Sequence, residues 1–287
     1  MDEAKALAAI EDEIRQDFGH LGREQVRERR WRNCAIPNTQ PSDFTEHLID
    51  LGGGLAVICG IRHLGMNIEK PFVLLCPNFP LVAEAEIHGI YESHLRHLFE
   101  VFHPKWIQVY TNSDLGSHAG GSLFLVARAS EVVKSVGTDD PVHPSLEFVE
   151  PPDDDYYDWY SETYDAFHAE FPDKKDLVQK NDLDLMIGSR EAGLLRLAAI
   201  GGERVGLIAA ERESFLGHDG IYFVDILVVK QWRGRGLGKR LQRLFTEQLC
   251  GPDEIVWGLI DRTNQASLKT ALANGRRVVR SERFLRV

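Results

Sequence analysis

Apolar and polar positions along the 287 residues alternate with two different periods. Short apolar runs rich in β-branched and aromatic residues predict strands at GLAVICGIRH (54–63), PFVLLC (71–76), WIQVYT (106–111) and SLFLVARA (122–129). A helix is expected over about 82–102, between the second and third of these. Further on, LEFVEP (146–151) predicts a short strand, and Tyr157, Tyr160, Tyr164, Phe167 and Phe171 recur at helical spacing, a stripe that belongs in a core. LLRLAAIGGERVGLIAAERE (194–213) predicts a hairpin about Gly201-Gly202, because that dipeptide supplies the positive φ a tight turn needs. GIYFVDILVV (220–229) is a third strand, and Leu237, Leu241, Leu244, Phe245 and Leu249 mark one face of a helix ended by Gly251-Pro252. EIVWGLID (254–261), NQASLKTALANG (264–275) and RRVVRSERFLRV (276–287) add a strand, a glycine-closed helix and a final strand or two. The order β-α-β-β-β-α-β-α-β predicts an α/β (α+β) fold, a mixed, mostly antiparallel sheet flanked by helices.

Composition divides the chain. TDDPVHPSLEFVEPPDDD (138–155) is crowded with proline and aspartate, which neither continue a helix nor suit a central strand, so a boundary is expected near Pro144, between residues 1–140 and 145–287. Strand, helix, strand over 71–111 echoes 221–261, which makes the first half a degenerate copy of the second, with Asn78-Phe79-Pro80 where glycines stand in the other. A formal net charge of -11 disfavours nucleic acid and anionic membranes as partners. Cys34, Cys59, Cys76 and Cys250 are far apart and form no zinc or disulfide pattern, as expected of reduced thiols in a cytoplasmic protein. The acidic, amphipathic start MDEAKALAAIEDEIRQDF reads as a soluble helix, with no membrane span expected. His88, His94, His97 and His103 share a helix but lack a carboxylate or cysteine pattern, so no metal is expected.

Against that negative balance, QWRGRGLGKR (231–240) sets Gly234, Gly236 and Gly238 among basic side chains, between a strand and a helix. Such a turn presents unpaired N–H groups at the positive end of a helix dipole and binds anions. Lys239, Arg240 and Arg243 oppose the dipole by roughly 0.3–1 kcal/mol each, a cost that a bound phosphate reverses. The dinucleotide fingerprint and the Walker loop both fail on spacing.

Gln231-Trp232-Arg233-Gly234-Arg235-Gly236 resembles the signature of the GNAT superfamily of acyl-CoA-dependent N-acetyltransferases, which is Gln or Arg, two residues, Gly, one residue, then Gly or Ala. The stretch VDILVVKQWRGRGLGKRLQRLF, and the element order of about 146–287, are similar to that family as well, so the first half would be a degenerate GNAT-like domain. The resemblance implies acetyl-CoA in a V between strands 221–229 and 254–261. Backbone N–H groups of Arg233, Gly234, Arg235, Gly236, Leu237, Gly238 and Lys239 would hold its pyrophosphate. The backbone of Leu227, Val228 and Val229 would align the pantetheine and thioester, and Asn264 would reach the cofactor arm. A strand-edge N–H at a thioester carbonyl also makes sense as an oxyanion site.

The implied reaction is direct attack by a primary amine of a small molecule or peptide. With a pKa near 10.4, such an amine costs about 4.6 kcal/mol to deprotonate at pH 7. Asp225, placed inside a strand that ordinarily rejects aspartate, is the first candidate to take that proton; Glu211 and Glu213 are alternatives. The family's tyrosine, seven residues after Asn264, is Ala271 here, which leaves Ser267 as the candidate to protonate the thiolate. The absence of that tyrosine also motivates a non-catalytic acyl-CoA-binding sensor or scaffold as the rival reading. Asp153, Asp154, Asp155, Asp158 and Glu162 would draw a cationic acceptor or form a solvated linker face.

Overall fold

The computed structural model describes residues 2–19, 21–112, 120–134, 146–175 and 178–287. The expected boundary at Pro144 lies outside them. In chain order the elements are α1 (Glu3–Phe18), α2 (Glu24–Cys34), β1 (His47–Gly52), β2 (Leu55–His63), β3 (Pro71–Pro77), α3 (Glu84–Ile90), α4 (Arg96–Phe99), β4 (Trp106–Thr111), β5 (Ser122–Arg128), α5 (Ala129–Lys134), β6 (Leu146–Val149), α6 (Tyr156–Glu170), α7 (Leu183–Glu191), β7 (Leu195–Ile200), β8 (Glu203–Arg212), β9 (Gly220–Val228), α8 (Leu237–Leu249), β10 (Ile255–Asp261), α9 (Gln265–Ala273) and β11 (Arg277–Arg286). The strands form a mixed, mostly antiparallel sheet arrangement flanked by helices. Elements α2, β1, α5 and α7 have no counterpart in the sequence pattern, and the last twelve residues give one strand.

The chain divides into two compact units, neither contiguous in sequence. One is Met1–Ala6 with Phe124–Val278, the other Leu7–Leu123 with Val279–Val287. In the second, the strand order is β1-β2-β3-β4-β11. Strands β1, β2 and β3 run antiparallel, β3 and β4 parallel, and β11 returns antiparallel to β4. Val57, Val73, Ile107, Val109 and Leu285 from these strands bury against Ile87, Leu95 and Phe99 of the helical segment.

In the first unit the order is β5-β10-β9-β8-β7-β6, antiparallel from β6 to β9 and parallel between β9 and β10. The β7–β8 hairpin turns on Gly201 and Gly202, at φ 59° and 82°, the left-handed values that favour glycine. Ile208, Ala210, Ile221 and Phe223 bury one sheet face against Phe245 of α8. Leu195, Leu197, Leu207, Ala209 and Leu227 bury the other against Tyr156, Tyr160 and Tyr164 of α6 and Met186 of α7. A bulge lets β9 serve both faces. Ala209 pairs with Asp225 while Ala210 pairs with Phe223, leaving Val224 as the extra residue. Phe223 and Ile226, three apart, thus both reach the α8 side, which strict alternation forbids. No helix of the described residues is long and apolar enough to cross a membrane.

Candidate functional site

Strand β9 passes through Val229 into a single helical turn, Lys230–Trp232, and the glycine stretch then delivers the chain to α8. Gly234 and Gly236 adopt φ 75° and 78°, and a Cβ at either would meet open space. Backbone conformation, not crowding, therefore requires glycine there, and the space beside the backbone is clear for an anion. Gly238 differs: it is helical, and a Cβ there would lie 3.7 Å from Thr270 Cγ2. The Arg233 N–H is used within the turn, donating to Lys230 O at 3.2 Å. Those of Gly234, Gly236, Leu237 and Gly238 have no partner among the described residues. Leu237 anchors the turn by burying its side chain.

The basic side chains divide. Lys230 pairs with Glu170 (2.9 Å), the Gln231 amide donates to Glu203 (3.0 Å), and Arg233 donates from Nε to Val228 O (2.9 Å) while lying over Phe167. These brace the turn against β8 and α6. Arg235 lies over Trp232, and Lys239, Arg240 and Arg243 occupy the first two turns of α8.

Beside this turn β9 and β10 separate. They pair in parallel only at Gly220–Tyr222 with Ile255–Trp257, and each then runs on unpaired with the other. Val229 N–H donates to Val205 O of the opposite neighbour at 3.0 Å. By the antiparallel alternation Leu227 also faces β8, which leaves Val228 directed into the gap. Of Leu227, Val228 and Val229, Val228 is the one whose backbone N–H faces the gap. At the far side of the gap, Asn264 Oδ1 accepts from Ser267 N–H (3.2 Å) and caps α9. Ser267 is exposed in the first turn, and Ala271 is fully buried without a hydroxyl to offer.

Asp225 lies on the α6 face, 8% exposed. Tyr160 donates to its Oδ2 at 2.5 Å, Tyr164 to Oδ1 and Oδ2 at 2.9 and 3.0 Å, and Asn181 Nδ2 to Oδ2 at 3.3 Å. Asn181 N–H donates in turn to the Tyr160 hydroxyl (3.0 Å). Burial raises the Asp225 carboxyl, opposed by Tyr160, Tyr164, the Ile226 N–H and Asn181. Burial and the neighbouring carboxylate also hold both phenols far above their usual range, as neutral donors. Sequence reasoning isolated Asp225 and the aromatic stripe separately; that the stripe's hydroxyls converge on the carboxylate follows from the Val224 bulge. Glu213 is raised by burial and by Glu211, and its carbonyl accepts from Trp257 Nε1 at 3.1 Å. Asp154 of the acidic run pairs with Arg190 at 2.8 Å, and Asp153 Oδ1 accepts from Asp155 N–H.

Arg276, read only as part of a strand, is 3% exposed where β9 and β10 part. Its Nη2 donates to Gln242 Oε1 at 2.6 Å, its Cζ lies 5.2 Å from the Phe223 ring centre, and Nη1 is 3.3 Å from where a Cβ on Gly258 would stand. A separate open pocket of about 440 Å³ lies on the α6 side of the turn, among Trp159, Phe167, Arg204, Lys230 and Arg233. Among the described residues no three His, Cys, Asp or Glu side chains gather to hold a metal ion.

Residues 154–271 match the model of the acetyltransferase (GNAT) family. No curated protein matches the chain. Among solved structures it is similar to a GNAT-family acetyltransferase from Colwellia psychrerythraea, at 11% identity over 80% of this chain and 81% of that one, with a TM-score of 0.49. A GCN5-related N-acetyltransferase from Sphaerobacter thermophilus aligns at 13% identity over 83% of each chain, TM-score 0.43. A tandem GNAT protein from the clavulanic acid biosynthesis pathway aligns at 12% identity over 92% of this chain and 94% of that one, TM-score 0.42.

Proposed function

Residues 154–271 are a domain of the GNAT acetyltransferase family, and on that premise we propose that this protein moves an acetyl group from acetyl-CoA to a primary amine of a small molecule or peptide. The observation that carries the reading is the gap between β9 and β10, opening beside a turn whose Gly234, Gly236, Leu237 and Gly238 N–H groups have no partner among the described residues. Those N–H groups, with Arg235 and Lys239 about them, suit a pyrophosphate at the start of α8. Val228 N–H, directed into the gap, suits a thioester carbonyl as negative charge develops on its oxygen. The Asn264 amide reaches the cofactor arm from the start of α9.

The amine attacks the thioester carbon directly; the C–N bond forms, the C–S bond breaks, and sulfur leaves with the electron pair. The nitrogen must lose a proton. Asp225 receives it through Tyr164, whose hydroxyl takes a proton on oxygen as it gives its own to the carboxylate. Burial makes Asp225 a stronger base than a surface aspartate. Ser267, in the first turn of α9, or water returns a proton to the sulfur. The N-terminal half is a degenerate domain of the same kind, supported by its matching order of strand directions and by Asn78, which bonds the β1–β2 turn at Gly54 and Ala56 where the other half has its glycines. We place the protein in the cytoplasm.

The test is thiol release from acetyl-CoA across a panel of amines at about pH 8, where more of the amine is neutral, with Gly236→Glu as the blocked control. Release with one amine class, absent in the control, is the expected result. The buried Ala271, without a hydroxyl, favours a second reading, an acyl-CoA-binding sensor: acetyl-CoA binding without turnover on any amine establishes it, and no binding overturns both.

A further inference from the structure

Arg204 and Arg233 both line the open pocket of about 440 Å³ on the α6 side of the turn. Each lies over an aromatic ring of α6, Arg204 with its Cζ 4.8 Å from the Trp159 ring centre and Arg233 with its Cζ 5.0 Å from that of Phe167. Arg233 also donates from Nε to Val228 O at 2.9 Å. Among the described residues no carboxylate pairs with either guanidinium. A guanidinium held over a ring keeps the donors along its edge, in a fork that matches the two oxygens of a carboxylate.

A bulge in β8 puts Arg204 there. Ala198 pairs with Gly206 and Ala199 with Arg204, so Val205 is the extra residue. Leu207 buries on the α6 face, and strict alternation from it would set Val205 on that face and Arg204 on the other. Instead Val205 buries beside Leu237 and Leu241 of α8, and Arg204 lies over Trp159 of α6. Bulges commonly re-aim one side chain of a strand in this way. Charge then narrows the ligand. The chain carries a formal charge of -11, yet the pocket holds three cations, Arg204, Lys230 and Arg233, against two carboxylates, Glu162 and Glu170. Lys230 and Glu170 neutralise one another at 2.9 Å, and Glu162 offsets one guanidinium. One positive charge is left over, offered by two forked donors. Ala166 and the buried Val229 add apolar surface beside them. A doubly charged phosphate would face Glu162 and Glu170 as well, whereas a single carboxylate on an apolar body matches both the charge and the lining.

We propose that this pocket binds a small organic carboxylate, its carboxylate group taken by Arg204 and Arg233 and its apolar body resting against Ala166 and Val229. The proposal does not depend on acetyl transfer. Because both guanidiniums are already held by rings, and Arg233 by Val228 O as well, little side-chain freedom is lost when the ligand arrives, which favours affinity for a molecule of this size.

The test uses one ring with three head groups. Benzoate, benzamide and benzylammonium are each titrated into the full chain at about pH 7 and followed by the NMR relaxation of the ligand, with inorganic phosphate added as a competitor. Expected is saturation by benzoate with a Kd on the order of 1 mM or tighter. Benzamide should bind at least about tenfold more weakly, because it loses the charge-assisted bonds. Benzylammonium should not saturate, and phosphate at equal concentration should leave most of the benzoate bound. Arg204→Gln removes one fork and Ala166→Glu adds a carboxylate to the lining, both at exposed positions, and each should weaken benzoate at least about tenfold. Failure of benzoate to saturate the native protein overturns the proposal, whatever the variants do. So does benzamide or benzylammonium binding as tightly as benzoate, or phosphate displacing it at equal concentration. Benzoate affinity unchanged in Arg204→Gln and Ala166→Glu, with their unfolding temperatures unchanged, also overturns it, by placing the carboxylate elsewhere on the chain.

Discussion

Replacing Asp225 by asparagine tests whether burial or hydrogen bonding governs the carboxylate beneath β9. Tyr160, Tyr164 and Asn181 all donate to it, and hydrogen bonds to a charged group are worth about 1.5–3 kcal/mol each. Taking a carboxylate out of water costs several kcal/mol, and burial is the larger influence, leaving the group raised. An asparagine keeps the volume but turns one acceptor into a donor that faces a phenol. That unpaired contact costs about 1–3 kcal/mol of unfolding free energy. The sign with pH follows from linkage. A raised carboxyl contributes stability that is complete below its unfolded value, about 3.9, and is lost as pH rises through its folded value. Asparagine does not titrate. The stability difference between the native protein and Asp225→Asn is therefore widest near pH 4 and narrows toward pH 8, by about 1.4 kcal/mol for each unit by which the folded value is raised. Urea unfolding of both proteins at stepped pH measures this, because groups common to the two cancel in the difference. A gap that widens with pH would show that the phenol donors outweigh burial, and would remove the reason for treating Asp225 as a strengthened base.

The two kinds of glycine in the turn respond oppositely to alanine: Gly236→Ala, at φ 78°, is expected to lose about 1–2 kcal/mol, whereas Gly238→Ala, helical and with its nearest neighbour at 3.7 Å, is neutral or gains up to about 1 kcal/mol; thermal unfolding of the pair checks both. Burial pushes the Cys59 thiol up to about 12, with Cys76 adding to it, and burial with Glu254 does the same at Cys250. Neither should react with iodoacetamide at about pH 8 in the folded protein, and both should in urea; mass spectrometry of the alkylated peptides reads the result, and modification of folded Cys59 would contradict its enclosure.

Sequence pattern revealed the elements that carry strong periodicity or special backbone needs. The hairpin at Gly201-Gly202, the long β9, the apolar face of α8 and the glycine turn all announce themselves locally. Strand β1 does not, because no residue of HLIDLG is fully buried and its alternation is correspondingly faint. Helix α7 is short and holds Gly188; its one legible sign is Asp182, whose carboxylate accepts from Leu185 N–H at 2.8 Å. Asp225 was conspicuous as a charge inside a strand, but its surroundings depend on the bulge at Val224, and bulges leave little trace in composition. Arg276 was invisible for another reason. In RRVVRSERFLRV it is one basic residue among several, and its enclosure arises from α8 and β10, elements that precede it in the chain. Where β11 pairs was equally hidden: Ser281 opposite Thr111 and Leu285 opposite Ile107 are contacts across more than half the sequence.

That last pairing bears on how the protein is made. Trp106–Thr111 emerges from the ribosome long before the segment that bonds along its edge, with the whole of Phe124–Val278 translated between them. Until Val279–Val287 appears, β4 carries an open row of N–H and C=O groups, and Ile107 and Val109 lack Leu285 from their core, a surface that invites pairing with other chains. The half synthesised first is thus the half completed last, and a nascent chain stalled before Val279 is, on these grounds, a substrate for chaperones.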